Sequence, residues 1–185
     1  MSMKKWLAGI VVLMAVAAVT SCVAIDAYSP KQRTQIESYL YEKEYWITSD
    51  SAYVHLAGNK FLSQRPANMQ GAEEGDRVTF NFEAYTFSSS PANQPFYTNK
   101  PWVLPMLSDE LDTSYWSMEP VKVDLGRHSI LNSLEESLYG SVAGDSLLVF
   151  LPSGLAFGEA GMEAVPKNTA LMYILTVESV ANKIK

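Results

Sequence analysis

The sequence predicts an α+β domain in which an antiparallel sheet of five to six strands wraps around one short helix. Three stretches carry that expectation. Arg77 to Phe87 alternates strictly, with Val78, Phe80 and Phe82 on one face and Thr79, Asn81 and Glu83 on the other. Ser146 to Leu151 and Ala170 to Val177 repeat the period of two and bracket a loop punctuated by Pro152, Gly154, Gly158, Gly161 and Pro166. A single helical stripe, Ile130, Leu131, Leu134 and Leu138, has an apolar side that needs a sheet to cover it.

The front end is set apart from the fold. Residues 1–21 read as a lipoprotein signal peptide: Lys4 and Lys5 precede an apolar run from Trp6 to Val19, shorter than the roughly 20 residues of a stable membrane-spanning helix. Val19-Thr20-Ser21-Cys22 then resembles a bacterial lipobox, in which the peptidase cuts before the cysteine and its sulfur carries the lipid. Cys22 is the only cysteine in the chain, so no disulfide competes for it. The alternatives are an ordinary signal peptide with a chance cysteine, or an uncleaved anchor. Cleavage removes two lysines and no acid, taking the formal net charge from -6 to -8. The expected location is the cell envelope, lipid-anchored, at the outer membrane or the periplasmic face.

Residues 22–44 read as a lipid-anchored spacer with a short helix from Lys31 to Lys43, opened by Pro30 and carrying Ile36, Tyr39, Leu40 and Tyr41 near helical spacing. The domain proper is expected over 45–182. Tyr45 to Thr48 and Ala52 to Leu56 read as strands around a Ser49-Asp50-Ser51 turn, and Gly58 to Glu74 as loop. After the Arg77 strand, residues 88–120 form a long insertion in which five prolines alternate with Phe96, Tyr97, Trp102, Tyr115 and Trp116. So many aromatics argue that it packs on the domain or offers a contact surface. Val121 to Val123 is a short strand ended by Gly126, and the helix follows with Ser129 as cap and Gly140 as stop.

Composition excludes several classes of function. A chain with net charge -6 and no Lys/Arg cluster is not built for nucleic acid. Two histidines and a cysteine assigned to lipid make no zinc site. Ser153 sits in Pro-Ser-Gly with no nucleophile elbow, and Gly154, Gly158 and Gly161 do not lead a strand into a helix, so neither a serine hydrolase nor a nucleotide loop is expected. Glu135 and Glu136 are adjacent on a helix and point apart. No cofactor is implied.

Several segments, in order, resemble the FK506-binding-protein (FKBP) family. Gly75-Asp76-Arg77-Val78-Thr79-Phe80 is similar to its opening strand. Val121 to Gly126 with Ile130-Leu131 and Leu134-Glu135-Glu136-Ser137-Leu138 is similar to its strand, apolar pair and helix. Leu151-Pro152-Ser153-Gly154-Leu155-Ala156-Phe157-Gly158 and Val165 to Leu171 are similar to its pocket loop and last strand. The nearest subgroup is the divergent lipid-anchored members of Bacteroidetes-type envelopes. The resemblance implies an FKBP-like fold, a pocket between helix and sheet, and cis/trans isomerisation of X-Pro bonds in envelope or secreted polypeptides.

It also implies the site. Phe82, Phe157 and Tyr173 fall at catalytic wall positions, and Phe96, Tyr97, Val121, Ile130, Leu131 and Leu134 at substrate-binding ones. Four depart from the family pattern: Phe82 and Phe157 stand where active members carry Tyr, Tyr97 where they carry Asp, and Leu134 where they carry Trp. Three functions follow as alternatives: an envelope-tethered prolyl isomerase and folding helper, a weakly active or inactive binding or chaperone module, and a structural lipoprotein that uses the fold as a scaffold.

Overall fold

In the computed structural model of the chain, residues 29–45, 54–57 and 70–182 are described. The expected signal peptide, Cys22, all but Tyr45 of the strand expected from Tyr45 to Thr48, and most of the loop expected over 58–74 lie outside them. A helix α1 (Ser29–Glu42) precedes strands β1 (Val54–Ala57), β2 (Arg77–Phe87), β3 (Tyr97–Thr98) and β4 (Val121–Asp124). A short helix α2 (Asn132–Glu136) and strands β5 (Ser146–Leu151) and β6 (Ala170–Ala181) complete the chain. The six strands form one sheet in the order β1-β5-β6-β2-β3, with β4 also on β2, and every pair is antiparallel.

The β2–β6 pair runs the length of both strands, from Arg77 opposite Ala181 to Phe87 opposite Ala170. Its register slips once, between Thr79 and Phe80, where β6 carries Glu178 as an extra residue. A bulge resets the alternation. As a result Val177 and Val180, three residues apart, both serve the same core. That core lies between α2 and the sheet and holds Val78, Phe80, Val123, Leu138, Leu147, Val149, Leu151, Leu171 and Leu175.

The second face of β2 carries Thr79, Asn81 and Glu83, but from Tyr85 onward that face is covered as well. Tyr85, Phe87, Phe150, Ala170 and Met172 meet Ile36 and Leu40 of α1 in a second buried cluster. Tyr39 adds edge-on contacts to Phe87 at 5.5 Å and a tilted one to Phe150 at 5.8 Å. The helix expected as a spacer is therefore docked on the outer face of the sheet. Tyr41, grouped with its apolar stripe, points to solvent instead.

α2 starts later than its stripe predicts. Leu131, not Ser129, is the N-cap, and Ile130 and Leu131 belong to the turn before the helix. The reason is Glu135, 2% exposed, whose Oε1 accepts the Gly126 N–H at 2.7 Å. That bond ties the helix to the end of β4 and fixes the intervening turn, which carries Ile130 and Leu131. Gly140 does end the segment, at φ +76°. β6 extends beyond its expected end at Val177, because the bulge lets pairing with Arg77 to Thr79 continue.

Replacing the fully buried Leu40 with Ala should lower the unfolding free energy by about 2–5 kcal/mol in a urea titration. Tyr41→Ala, one residue on, should shift it by no more than about 0.5 kcal/mol. Equal effects would contradict the docking of α1.

Candidate functional site

Phe82 lies on the core face of β2 at the point where the neighbouring edge is divided. β4 pairs with Arg77 to Phe80, and β3 resumes at Glu83, so Phe82 has no strand beside it on that side. Buried backbone groups without partners are costly. Side chains fill the gap: the Phe82 N–H donates to Asn99 Oδ1 at 2.8 Å, and Thr98 Oγ1 donates to the Phe82 carbonyl at 2.7 Å. Asn99 also donates to Asn81 Oδ1 and to the Glu119 carbonyl, both at 3.0 Å, so both ends of the insertion are fastened beside Phe82.

Lys100 completes the fastening. Its Nζ lies 2.9 Å from Glu83 Oε1 and 3.3 Å from Thr176 Oγ1, with both partners of the ion pair largely buried. Glu83 Oε2 accepts the Tyr85 hydroxyl at 2.6 Å. A buried pair of this kind stabilises only when its remaining valences are met, as they are here.

With the insertion so held, an aromatic row forms. The Tyr173 and Phe82 rings stand 6.4 Å apart, Tyr97 meets Phe82 edge-on at 4.9 Å, and Trp116 meets Tyr97 edge-on at 4.6 Å. Such pairs are worth about 0.5–1.5 kcal/mol each beyond area burial. Phe82, Phe96, Leu134 and Tyr173 belong to the core cluster, and Tyr97, Val121, Ile130, Leu131 and Phe157 pack against it half-buried. All nine positions named from the sequence are thus members of the main core cluster or packed against it.

The loop carrying Phe157 closes by its own backbone. The Ala156 and Gly158 N–H groups both donate to the Ser153 carbonyl, and the Asn168 N–H donates to the Gly158 carbonyl at 2.8 Å. Met162 and Val165 exchange a bridge, and Gly161 must be glycine: at φ +65° a Cβ would stand 2.8 Å from the Val165 carbonyl oxygen.

Residues missed from the sequence are Trp116, singled out only as part of an aromatic segment, and the polar fasteners Thr98, Asn99, Lys100 and Glu83. Lys100 flanked by Asn99 and Pro101 carries no local sign of burial. A separate polar hollow of about 430 Å3 lies at the Arg77 end of β2, lined by Glu74, Arg77, Asp124 and Arg127 among others. It contains no aromatic residue and none of the nine.

Burial pushes the Tyr173 phenol well above the ordinary tyrosine range, with the nearby Tyr97 adding to the effect. Burial likewise raises Tyr85, helped by its hydrogen bond to Glu83 and that group's charge. Among the described residues the Tyr173 hydroxyl makes no hydrogen bond, and it is not one of the fully buried polar atoms left without a partner. Above about pH 10 an unfolded tyrosine releases its proton while these folded ones keep theirs, so stability should fall as pH rises from there. Tyr173→Phe should flatten part of that fall in melting curves taken from pH 8 to 11. An unchanged slope would contradict the shift.

Residues 69–178 match the protein family described as FKBP-type peptidyl-prolyl cis-trans isomerase. No curated protein is similar enough in sequence to match. Among solved structures the chain resembles FkpA from Escherichia coli, with 16% identity and a TM-score of 0.55 over 98% of this chain and 72% of that one. It also resembles a peptidyl-prolyl cis-trans isomerase from Pseudomonas syringae, with 14% identity and a TM-score of 0.55 over 85% and 96% of the two chains. The N-terminal domain of FKBP42 from Arabidopsis thaliana follows, with 15% identity and a TM-score of 0.53 over 75% and 92%. At these identities the likeness is one of fold.

Proposed function

Because the chain belongs to the FKBP-type peptidyl-prolyl cis-trans isomerase family, we propose that X-Pro isomerisation takes place on the aromatic region between α2 and the sheet, with the protein tethered in the bacterial envelope through a lipid on Cys22. The observation that carries the site is the convergence of the Phe82, Tyr97 and Tyr173 rings with Ile130, Leu131, Leu134 and Phe157 around one apolar face. The tether rests on the run Val19-Thr20-Ser21-Cys22, as it would in divergent lipid-anchored members of the family.

Rotation about a peptide bond has a barrier of ~18–20 kcal/mol because resonance holds the bond planar, and for X-Pro it takes tens of seconds or more unaided. No bond is broken, so neither a nucleophile nor a metal is required. The planar amide is the more charge-separated form, and water stabilises it. An apolar aromatic surface that replaces that water favours the twisted amide, in which resonance is lost. Phe82, Phe157 and Tyr173 wall the prolyl ring in this reading, with Ile130, Leu131, Leu134 and Val121 beneath it and Phe96 and Tyr97 at the insertion side. The prolyl nitrogen gains a lone pair only as the amide twists, and the unengaged Tyr173 hydroxyl is a donor suited to it.

A second reading, a binding or chaperone module for proline-containing envelope or secreted chains, is favoured by the insertion. Trp102 is 70% exposed and Tyr115 91%, and Trp116 joins the same segment to the aromatic row.

A protease-coupled isomerisation assay on the chain from residue 23 onward should show acceleration at micromolar protein, lost on Phe82→Ala. Tyr173→Phe should lower kcat/KM about 2- to 12-fold, the equivalent of ~0.5–1.5 kcal/mol for one neutral hydrogen bond. A fall in kcat alone identifies a bond made only in the twisted state, and a rise in KM alone a bond made equally to the planar and the twisted peptide. Suppressed aggregation of an unfolded client without acceleration would instead support the module. For the tether, Cys22→Ala should release the protein from the membrane fraction; full retention would refute lipidation at that residue.

A further inference from the structure

Gln32, in the first turn of α1, reaches both ends of the loop that carries Phe157. Its Oε1 accepts the Ser153 N–H at 2.7 Å, and its Nε2 donates to the Asn168 carbonyl at 2.8 Å. From each contact a backbone bond leads to one residue. The Ser153 carbonyl accepts from Gly158 N–H at 2.9 Å, and the Asn168 N–H donates to the Gly158 carbonyl at 2.8 Å. Gly158 directly follows Phe157. One amide side chain therefore closes a ring of four hydrogen bonds around the backbone that aims this aromatic wall.

The lever is rigid. Gln32 stands one helical turn before Ile36 and two before Leu40, on the same face, and both of those residues are fully buried against the sheet. Asn168 takes a left-handed φ of +55°, a conformation in which its carbonyl and its N–H serve the two arms of the ring. α1 lies wholly outside residues 69–178, the part of the chain that matches the family.

We propose that Gln32 is a positioning residue for Phe157, and that α1, which lies outside the residues matched by the family, sets the geometry of the pocket loop. The proposal rests on the assignment of Phe157 to the substrate site. Its primary readout is independent of that assignment.

The test is amide hydrogen exchange and isomerisation kinetics on the full chain with Gln32→Ala and Gln32→Glu. In Gln32→Ala, exchange at Ser153, Gly158 and Asn168 should rise at least tenfold while amides in the middle of β2 and β6 stay as they were, and KM for an X-Pro peptide should rise several-fold with kcat changed less. Gln32→Glu keeps the acceptor and loses the donor, so Ser153 should remain protected while Asn168 does not. Loop exchange within twofold of the parent overturns the proposal, and so does a rise shared equally by β2 and β6. If the parent shows no isomerisation while the loop exchange responds as stated, the clamp stands and the assignment of Phe157 to the substrate site fails by itself.

Discussion

The pairing of β2 with β6 is the constraint on which the rest of the molecule depends. Two long antiparallel strands, in one register from Phe80 to Phe87, commit every second residue of each to one face. On the inner face that places Phe82 and Ala84 opposite Leu175 and Tyr173, so the aromatic row begins as a diagonal neighbour contact across the pair. On the outer face it places Tyr85 opposite Met172 and Phe87 opposite Ala170, and these form the bed for α1. A one-residue slip would move the pocket rings outward and the helix bed inward, losing both cores together. The bulge at Glu178 shows the same pressure, since without it Val180 would leave the inner core.

The other edge of β2 explains why the long insertion is ordered. β4 and β3 each take part of that edge, and Phe82 falls between them. An insertion that merely looped out would leave the Phe82 amide and carbonyl unpaired beside a hydrophobic core. Thr98 and Asn99 act as a substitute strand in side-chain form, and the return at Glu119 is tied to the same Asn99. The Lys100–Glu83 pair then anchors the segment on the outer face, supported by Tyr85 and Thr176. Placement of Tyr97 against Phe82, and of Trp116 against Tyr97, is a consequence of that anchoring.

What the sequence made legible follows from periodicity. β2, β5 and β6 carry runs long enough for the period of two to show, and the structure places them within a residue or two of the reading except at the far end of β6. The nine residues carried over by resemblance all belong to the main core cluster or pack against it. Contacts that reach far along the chain were not legible. Gln32 to Ser153 and Asn168, Lys100 to Glu83, and Asn99 to Phe82 are single polar residues in segments with no distinguishing pattern. The late start of α2 was hidden for a related reason: Ile130 and Leu131 fit a helical stripe, but the buried Glu135 bond to Gly126 holds them in a turn. The docking of α1 escaped notice because its apolar positions are few, although Ile36 and Leu40 are both fully buried.

Phe82 and Phe157, which stand where the resemblance implies Tyr, bear on how much activity the proposed pocket retains. A hydroxyl lost from a wall removes one neutral hydrogen bond, about 0.5–1.5 kcal/mol, or a factor of roughly 2 to 12. The barrier itself is ~18–20 kcal/mol, and the part of its reduction that comes from excluding water depends on apolar area rather than on any one donor. Phe82 and Phe157 preserve that area, and the neutral Tyr173 hydroxyl supplies a donor from β6. In the proposed site Leu134 is the larger change in shape, because a smaller floor residue admits a bulkier group above it; Trp116, brought in by the insertion to lie edge-on to Tyr97, adds aromatic surface beside that ring. For the proposed site, these energetics favour a pocket altered in selectivity and moderately weakened in rate over one that has lost the reaction.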